Sequence, residues 1–153
     1  MPSSSFVSGL ALHHVGYAVK AIVPAAEMYA QTLGYEVMTH VIHDPLQTAL
    51  VQFLRLPGDV AYLELVAPDG PESKLSRTVQ RRGGLHHLCY ACGLLESAVD
   101  HLSQNGMLLF SDPKPAVAFA GRKICWLMGE DSLLIELVER RDEADRCIPG
   151  LAI

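Results

Sequence analysis

Charge is scarce in this sequence: Asp, Glu, Lys and Arg make up 19% of its 153 residues, against roughly 25% in an ordinary soluble protein. With 50% of residues hydrophobic, that scarcity excludes a disordered chain and predicts a sizeable core. Basic residues are the rarer sign, 12 against 17 acidic ones, for a net charge of −5. They are scattered apart from Arg77, Arg81 and Arg82, so the footprint for a polyanion backbone is missing and no nucleic-acid partner is expected. Long apolar runs are lacking too. Stretches such as Met107 to Phe110 and Ala116 to Ala120 fall far short of the ~20 residues of a membrane span, so no membrane partner is expected. Met1 to Gly9 has neither the basic start nor the continuous apolar stretch of an export signal and reads as a frayed lead-in, which makes the cytoplasm the expected location. Cysteine is sparse, with four residues and no disulfide-rich spacing, so reduced thiols are expected. Cys89 and Cys92 form a C-x-x-C in an alternating run. Residues three apart in a strand point to opposite faces, which opposes joint metal binding or redox pairing.

What the chain does contain is a repeat. Leu12-His13-His14-Val15-Gly16-Tyr17-Ala18-Val19 recurs as Leu85-His86-His87-Leu88-Cys89-Tyr90-Ala91-Cys92, with 87 − 14 = 73. Ala61 to Val66 recurs as Leu133 to Val138, with 136 − 64 = 72. Two matched segments at nearly one offset mark a duplication, so the chain reads as two copies of one module. Each copy has an alternating strand, a helix, and several short strands, a βαβββ order and an α+β fold class. The first helix is expected from about Pro24 to Leu33, before Gly34, and the second from about Leu94 to Asn105, before Gly106. Strands are expected at Tyr35 to His43, Ala49 to Leu56 and Ala61 to Val66, then at Met107 to Phe110, Lys123 to Met128 and Leu133 to Val138. A short helix over Lys74 to Arg82 joins the copies. The expected organisation is a flexible N-terminus (1–10), one domain over 11–140 comprising module one (11–68), a linker (69–84) and module two (85–140), and an irregular charged tail (141–153) with no assigned role.

Alternation places His13, Val15, Tyr17 and Val19 on one face of the first strand and His14, Gly16 and Ala18 on the other. The bulky face suits a helix; the small residues beside His14 leave room for a ligand. His87, Cys89 and Ala91 repeat that small face. Glu64 and Glu136 stand in otherwise apolar strands, and burying an isolated carboxylate costs several kcal/mol unless it pairs, protonates or ligates a cation. No Lys or Arg occupies a matching repeat position. A single strand His is ordinarily a hydrogen-bonded core residue and a single strand Glu a solvated one. The same pair kept twice points instead to a metal site of His14, Glu64, His87 and Glu136. Mixed nitrogen and oxygen ligands suit zinc, cobalt, nickel, manganese or ferrous iron better than calcium. His13, His40, His43, His86 and His101 take the ordinary reading, although His43 returns below with Asp44.

On these residues the sequence resembles the vicinal oxygen chelate superfamily, which includes glyoxalase I, extradiol dioxygenases, fosfomycin and bleomycin resistance proteins and methylmalonyl-CoA epimerase. The resemblance is nearest to the epimerase branch and spans nearly Leu12 to Glu139, with Leu63-Glu64-Leu65 before Pro68 and Gly83-Gly84-Leu85-His86-His87 matching its ligand strands and linker. It implies two βαβββ modules with curved mixed sheets around a central cavity, a metal held by His14, Glu64, His87 and Glu136, and usually a homodimer. It also implies a small-molecule substrate, an acyl-CoA or other thioester, whose α-proton leaves through a metal-stabilised enediolate with Glu136 as base. The branch places a second glutamate just beyond a proline after the first helix. Here His43-Asp44-Pro45-Leu46-Gln47 puts Leu46 there, which leaves Asp44 or His43 as the second proton carrier, or else a one-base reaction. The alternatives to an epimerase are a glyoxalase I-type lyase and a non-catalytic small-molecule-binding or resistance protein.

Overall fold

The alternation of the first repeat forms the strand it predicts. In the computed structural model, which describes residues 9–150, β1 (Ala11–Ala18) leads into α1 (Ile22–Leu33), which ends at Gly34 in the left-handed conformation. Four strands follow: β2 (Glu36–Val37), β3 (Ile42–Asp44), β4 (Ala49–Arg55) and β5 (Tyr62–Pro68). A short helix, α2 (Ser76–Gln80), precedes β6 (Gly84–Cys92), α3 (Leu95–Gln104), β7 (Leu108–Pro115), β8 (Lys123–Met128) and β9 (Leu134–Glu139). The lead-in expected over residues 1–10 lies almost wholly outside the described residues. Among the described residues, no helix is long and apolar enough to cross a membrane.

The chain divides into two compact units, residues 14–86 with 149–150, and residues 87–148 with 9–13. In the first, β1 pairs in parallel with β5, β5 antiparallel with β4, and β2 and β3 with the other edge of β4. In the second, β6 pairs in parallel with β9, β9 antiparallel with β8, and β8 antiparallel with β7. The duplication in sequence is therefore a duplication in topology, and the mixed strand pairing within each unit fits the α+β class.

In each unit a helix covers one sheet face. Ile22 and Ala26 of α1 pack on Leu54, Leu65 and Ala67. Leu95 and Ala98 of α3 pack on Cys92, Cys125, Leu127 and Leu137. The bulky face of β1 meets its helix as expected, Tyr17 lying edge-on to Tyr29. The opposite faces carry His14 and Glu64 in one unit and His87 and Glu136 in the other.

Three expectations change in detail. The strand read over Tyr35 to His43 is two short strands, because the Thr39 side chain intrudes on the ladder. Thr39 Oγ1 accepts from Phe53 N at 3.2 Å, and its carbonyl accepts from Gln52 Nε2 at 2.9 Å. The strand expected to stop at Phe110 continues to Pro115 with two register shifts that absorb Pro113. The tail is anchored: Arg122 holds Asp145 through two bonds of 2.8 and 2.9 Å, and His13 Nε2 lies 2.8 Å from the carbonyl of Cys147.

Candidate metal centre

Strand register builds the site. Within the first unit Gly16 stands beside Glu64 on the parallel neighbour, so Glu64 shares a face with Gly16 and, two residues away, with His14. In the second unit Cys89 stands beside Glu136, which puts Glu136 on the face of His87. The residue beside each carboxylate is small, and the Glu side chain leans across it to the histidine. His14 Nε2 lies 3.4 Å from Glu64 Oε1, and His87 Nε2 lies 3.4 Å from Glu136 Oε1. All four residues are buried, from 0% exposed at His14 to 6% at Glu64.

That separation tests whether a cation fits. Two donors on one first-row dication, each at about 2.0–2.2 Å, stand about 3.0–3.5 Å apart, whereas a direct N–H···O hydrogen bond closes to about 2.9 Å. The distance in both halves matches shared coordination. Buried imidazole nitrogens and carboxylate oxygens also form the donor set that such ions take. Each half of the expected ligand set thus holds, as one arm, an imidazole nitrogen and a carboxylate oxygen at the spacing that two donors on one ion would have.

An aromatic wall completes each arm and was not singled out in the sequence. Phe53 stands opposite Glu64 and Trp126 opposite Glu136 on the antiparallel neighbours. The Phe53 ring lies edge-on to His14 with centroids 5.3 Å apart, and Trp126 edge-on to His87 at 4.8 Å. Their spacing, 126 − 53 = 73, is that of the histidines. The signal was present, but an aromatic residue within an apolar strand reads as core.

The proposed second proton carriers lie elsewhere in the first unit. Asp44 aligns with Ala49 and through it with Pro68, four residues along β5 from Glu64, or roughly 13 Å at ~3.3 Å per residue. Its Oδ1 accepts from the backbone N–H groups of Leu46 and Gln47 at 3.1 and 3.3 Å, shaping the turn into β4. His43 aligns with Leu50, on the face covered by α1 and opposite to Glu64, and its Nε2 lies 2.9 Å from Asp69 Oδ2. The Leu46 side chain is exposed and carries no proton.

Cys89 and Cys92 fall on opposite faces, Cys89 with Glu136 and Cys92 in the core against α3. All four cysteines are buried and none forms a disulfide. Burial pushes the thiols of Cys92 and Cys125 up to about 12 and that of Cys147 up to about 11, so they are protonated and poor ligands at neutral pH.

Along most of its length the chain is similar to known proteins. Residues 13–126 match the profile of the glyoxalase/bleomycin resistance protein/dioxygenase superfamily. An ethylmalonyl-CoA/methylmalonyl-CoA epimerase from Cereibacter sphaeroides is 31% identical over 130 residues, covering 82% of this chain and 95% of the relative. A 2-epi-5-epi-valiolone epimerase from an Actinomyces species is 26% identical over 128 residues, covering 74% and 69%. The crystal structure of methylmalonyl-CoA epimerase from Mycobacterium tuberculosis superposes with a TM-score of 0.75 at 27% identity, covering 86% of this chain and 89% of the other.

Proposed function

Because the chain belongs to the glyoxalase/bleomycin resistance protein/dioxygenase superfamily, we propose that it is a divalent-metal-dependent isomerase of the methylmalonyl-CoA epimerase type, acting on an α-proton beside a thioester-like carbonyl. The observation that carries this reading is the duplicated arm, a buried imidazole and a buried carboxylate 3.4 Å apart at equivalent positions of both repeats. His14, Glu64, His87 and Glu136 would hold one ion. A bound dication supplies Lewis acidity, which stabilises negative charge developing on a substrate oxygen.

The chain's own residues do the rest. Oε1 of Glu136 lies against His87, so the α-proton is assigned to Oε2. Phe53 and Trp126 screen the histidines with apolar rings and exclude water from the side of each arm. Of the two candidates for a second carrier, His43 is on the helix-covered face and Asp44 is four residues along the sheet, with its Oδ1 accepting two backbone N–H bonds of a turn. Glu136 is therefore read as the base that removes the α-proton, and inversion is completed by a proton that solvent delivers to the opposite face of the α-carbon. Homodimer assembly belongs to the same proposal, and sedimentation equilibrium giving twice the monomer mass is its expected outcome.

The reaction is tested by proton exchange. Metal-loaded protein is incubated in D2O with methylmalonyl-CoA or with the hemithioacetal of methylglyoxal and glutathione. Deuterium entering the α-carbon of the first supports the epimerase reading, and conversion of the second alone replaces it with a glyoxalase I-type lyase. Glu136→Gln keeps an oxygen for the metal but not a base, so it should retain metal by elemental analysis and lose exchange by about 100-fold or more. Asp44→Asn should leave exchange within about twofold; a collapse there would restore a second base.

A further inference from the structure

The basic residues of the linker have no part in the metal arm. Lys74, Arg77, Arg81 and Arg82 make up four of the chain's 12 Lys and Arg residues, gathered on one short segment of an otherwise acidic molecule. Arg81 N bonds to the carbonyl of Arg77, so these two are one helical turn apart on α2 and share a face. Leu75 and Val79, two residues out of phase, are buried on the opposite side. Lys74, Arg77 and Arg81 are exposed. An open cavity of about 590 Å³ adjoins Lys74 and Arg77, lined also by Ser76 and Gln80, with Glu72 the one acidic residue of its wall, and Arg81 stands one turn beyond Arg77 outside that lining. Lys74 Nζ also donates to the Leu46 carbonyl at 3.2 Å, which ties its ammonium down without neutralising it, and Arg82 adds a further exposed cation to the segment.

The fold fixes where this patch lies relative to the His14–Glu64 arm, all within the first unit. Ser73, just before α2, donates its hydroxyl to the Thr48 carbonyl beside the end of β5, where Asp69 N reaches the same carbonyl. At the other end of α2, Gly83 packs so closely on Ala18 that a Cβ there would collide with the Ala18 carbonyl oxygen. The helix therefore sits where β1 and β5 finish. His14 is four residues before Ala18 and Glu64 four before Pro68, a separation of roughly 13 Å along either strand. A substrate with its carbonyl at the metal arm and an extended tail along the sheet would bring that tail to α2.

We propose that Arg77 and Arg81, on the exposed face of α2, bind the phosphate groups of a nucleotide-bearing thioester carrier, one pantetheine arm away from the reacting carbonyl. This rests on the thioester reading above and names the handle by which such a substrate is held. Guanidinium forks match phosphate oxygens in pairs. Exposure makes the contact salt-dependent.

The test combines binding and turnover in the intact protein. Calorimetric titration with coenzyme A at two ionic strengths should give binding that weakens with salt, and the Arg77→Ala/Arg81→Ala variant should bind about tenfold or more weakly. In proton exchange the double variant should raise KM for methylmalonyl-CoA with kcat unchanged, and leave methylmalonyl-pantetheine, which lacks the phosphates, unaffected. Both side chains are exposed, and Arg77→Lys/Arg81→Lys serves as a control expected to recover part of the affinity. If wild type binds coenzyme A and the variant binds it as tightly, or if wild type binds none, the phosphate site is overturned. If binding behaves as expected but neither ester exchanges, the phosphate site stands and the reaction assignment falls.

Discussion

Trp126 is the only tryptophan of the chain, and its ring lies against His87. That placement makes it an intrinsic reporter of the metal arm. Titrating metal-stripped protein with cobalt or nickel should quench its fluorescence saturably, and His87→Ala should abolish the response; an unchanged spectrum in wild type would remove His87 from the ligand set. The thiols behave in the opposite way. With Cys92 and Cys125 pushed up to about 12 by burial, almost no thiolate exists at neutral pH. Under native conditions the four cysteines should react with a disulfide reagent only as fast as the chain opens, and reaction of even one within seconds would mean that the thiol is more accessible than its burial implies. The histidine and glutamate pairs could be read from the sequence because they violate the apolar pattern twice at one spacing. Phe53 and Trp126 obey that pattern, so only their placement against the histidines reveals them.

Elements whose structure depends on distant partners were the least legible. The tail after Arg140 looks irregular, yet Asp145 is seated between Arg122 of the second unit and the N–H groups of Arg141 and Cys147. Burial alone would raise the Asp145 carboxyl, but the Arg122 guanidinium and the two N–H donors outweigh it and hold the carboxyl below the usual range. A carboxyl lowered in the folded state adds stability above its unfolded value, about pH 3.9, and that contribution fades as acid approaches the folded value. Asp145→Asn should therefore cost about 2 kcal/mol at pH 7, and the gap from wild type should shrink below about pH 4 in denaturant titrations. A gap independent of pH would mean that the charge is not what holds the tail. The split of the expected 35–43 strand was hidden for a related reason: β propensity is uniform there, and only Thr39 bonding to Phe53 of β4 breaks the ladder. The linker was better marked. Gly83 takes φ +75° against the Ala18 carbonyl, so Gly83→Ala meets both a disfavoured backbone conformation and a collision with main chain. A loss of about 2 kcal/mol or more is expected from chemical denaturation, and a neutral substitution would mean that the linker readily shifts away from β1.

At the scale of the whole molecule, the repeat made the topology legible, because two segments at offsets of 73 and 72 carry the same strand order into both units. It does not by itself say how many ions the chain binds. Two such arms allow either one ion held by four residues or one ion on each arm, and the two cases respond differently to mutation. A ligand that binds only the folded state stabilises it by about 2.7 kcal/mol at a hundred times its Kd. If all four residues share an ion, Glu64→Ala or Glu136→Ala alone should remove most of the zinc- or cobalt-induced rise in Tm, and the double variant should lose little more, a strongly non-additive cycle. If each arm holds its own ion, each single variant should lose about half and the losses should add. Elemental analysis must agree, with one equivalent per chain in the first case and two in the second. The proposed chemistry needs the first result, because a single ion with four protein ligands keeps open positions for substrate oxygens while fixing Glu136 beside them as the base. Additive losses with two equivalents bound would leave each arm an independent structural site and end the isomerase assignment.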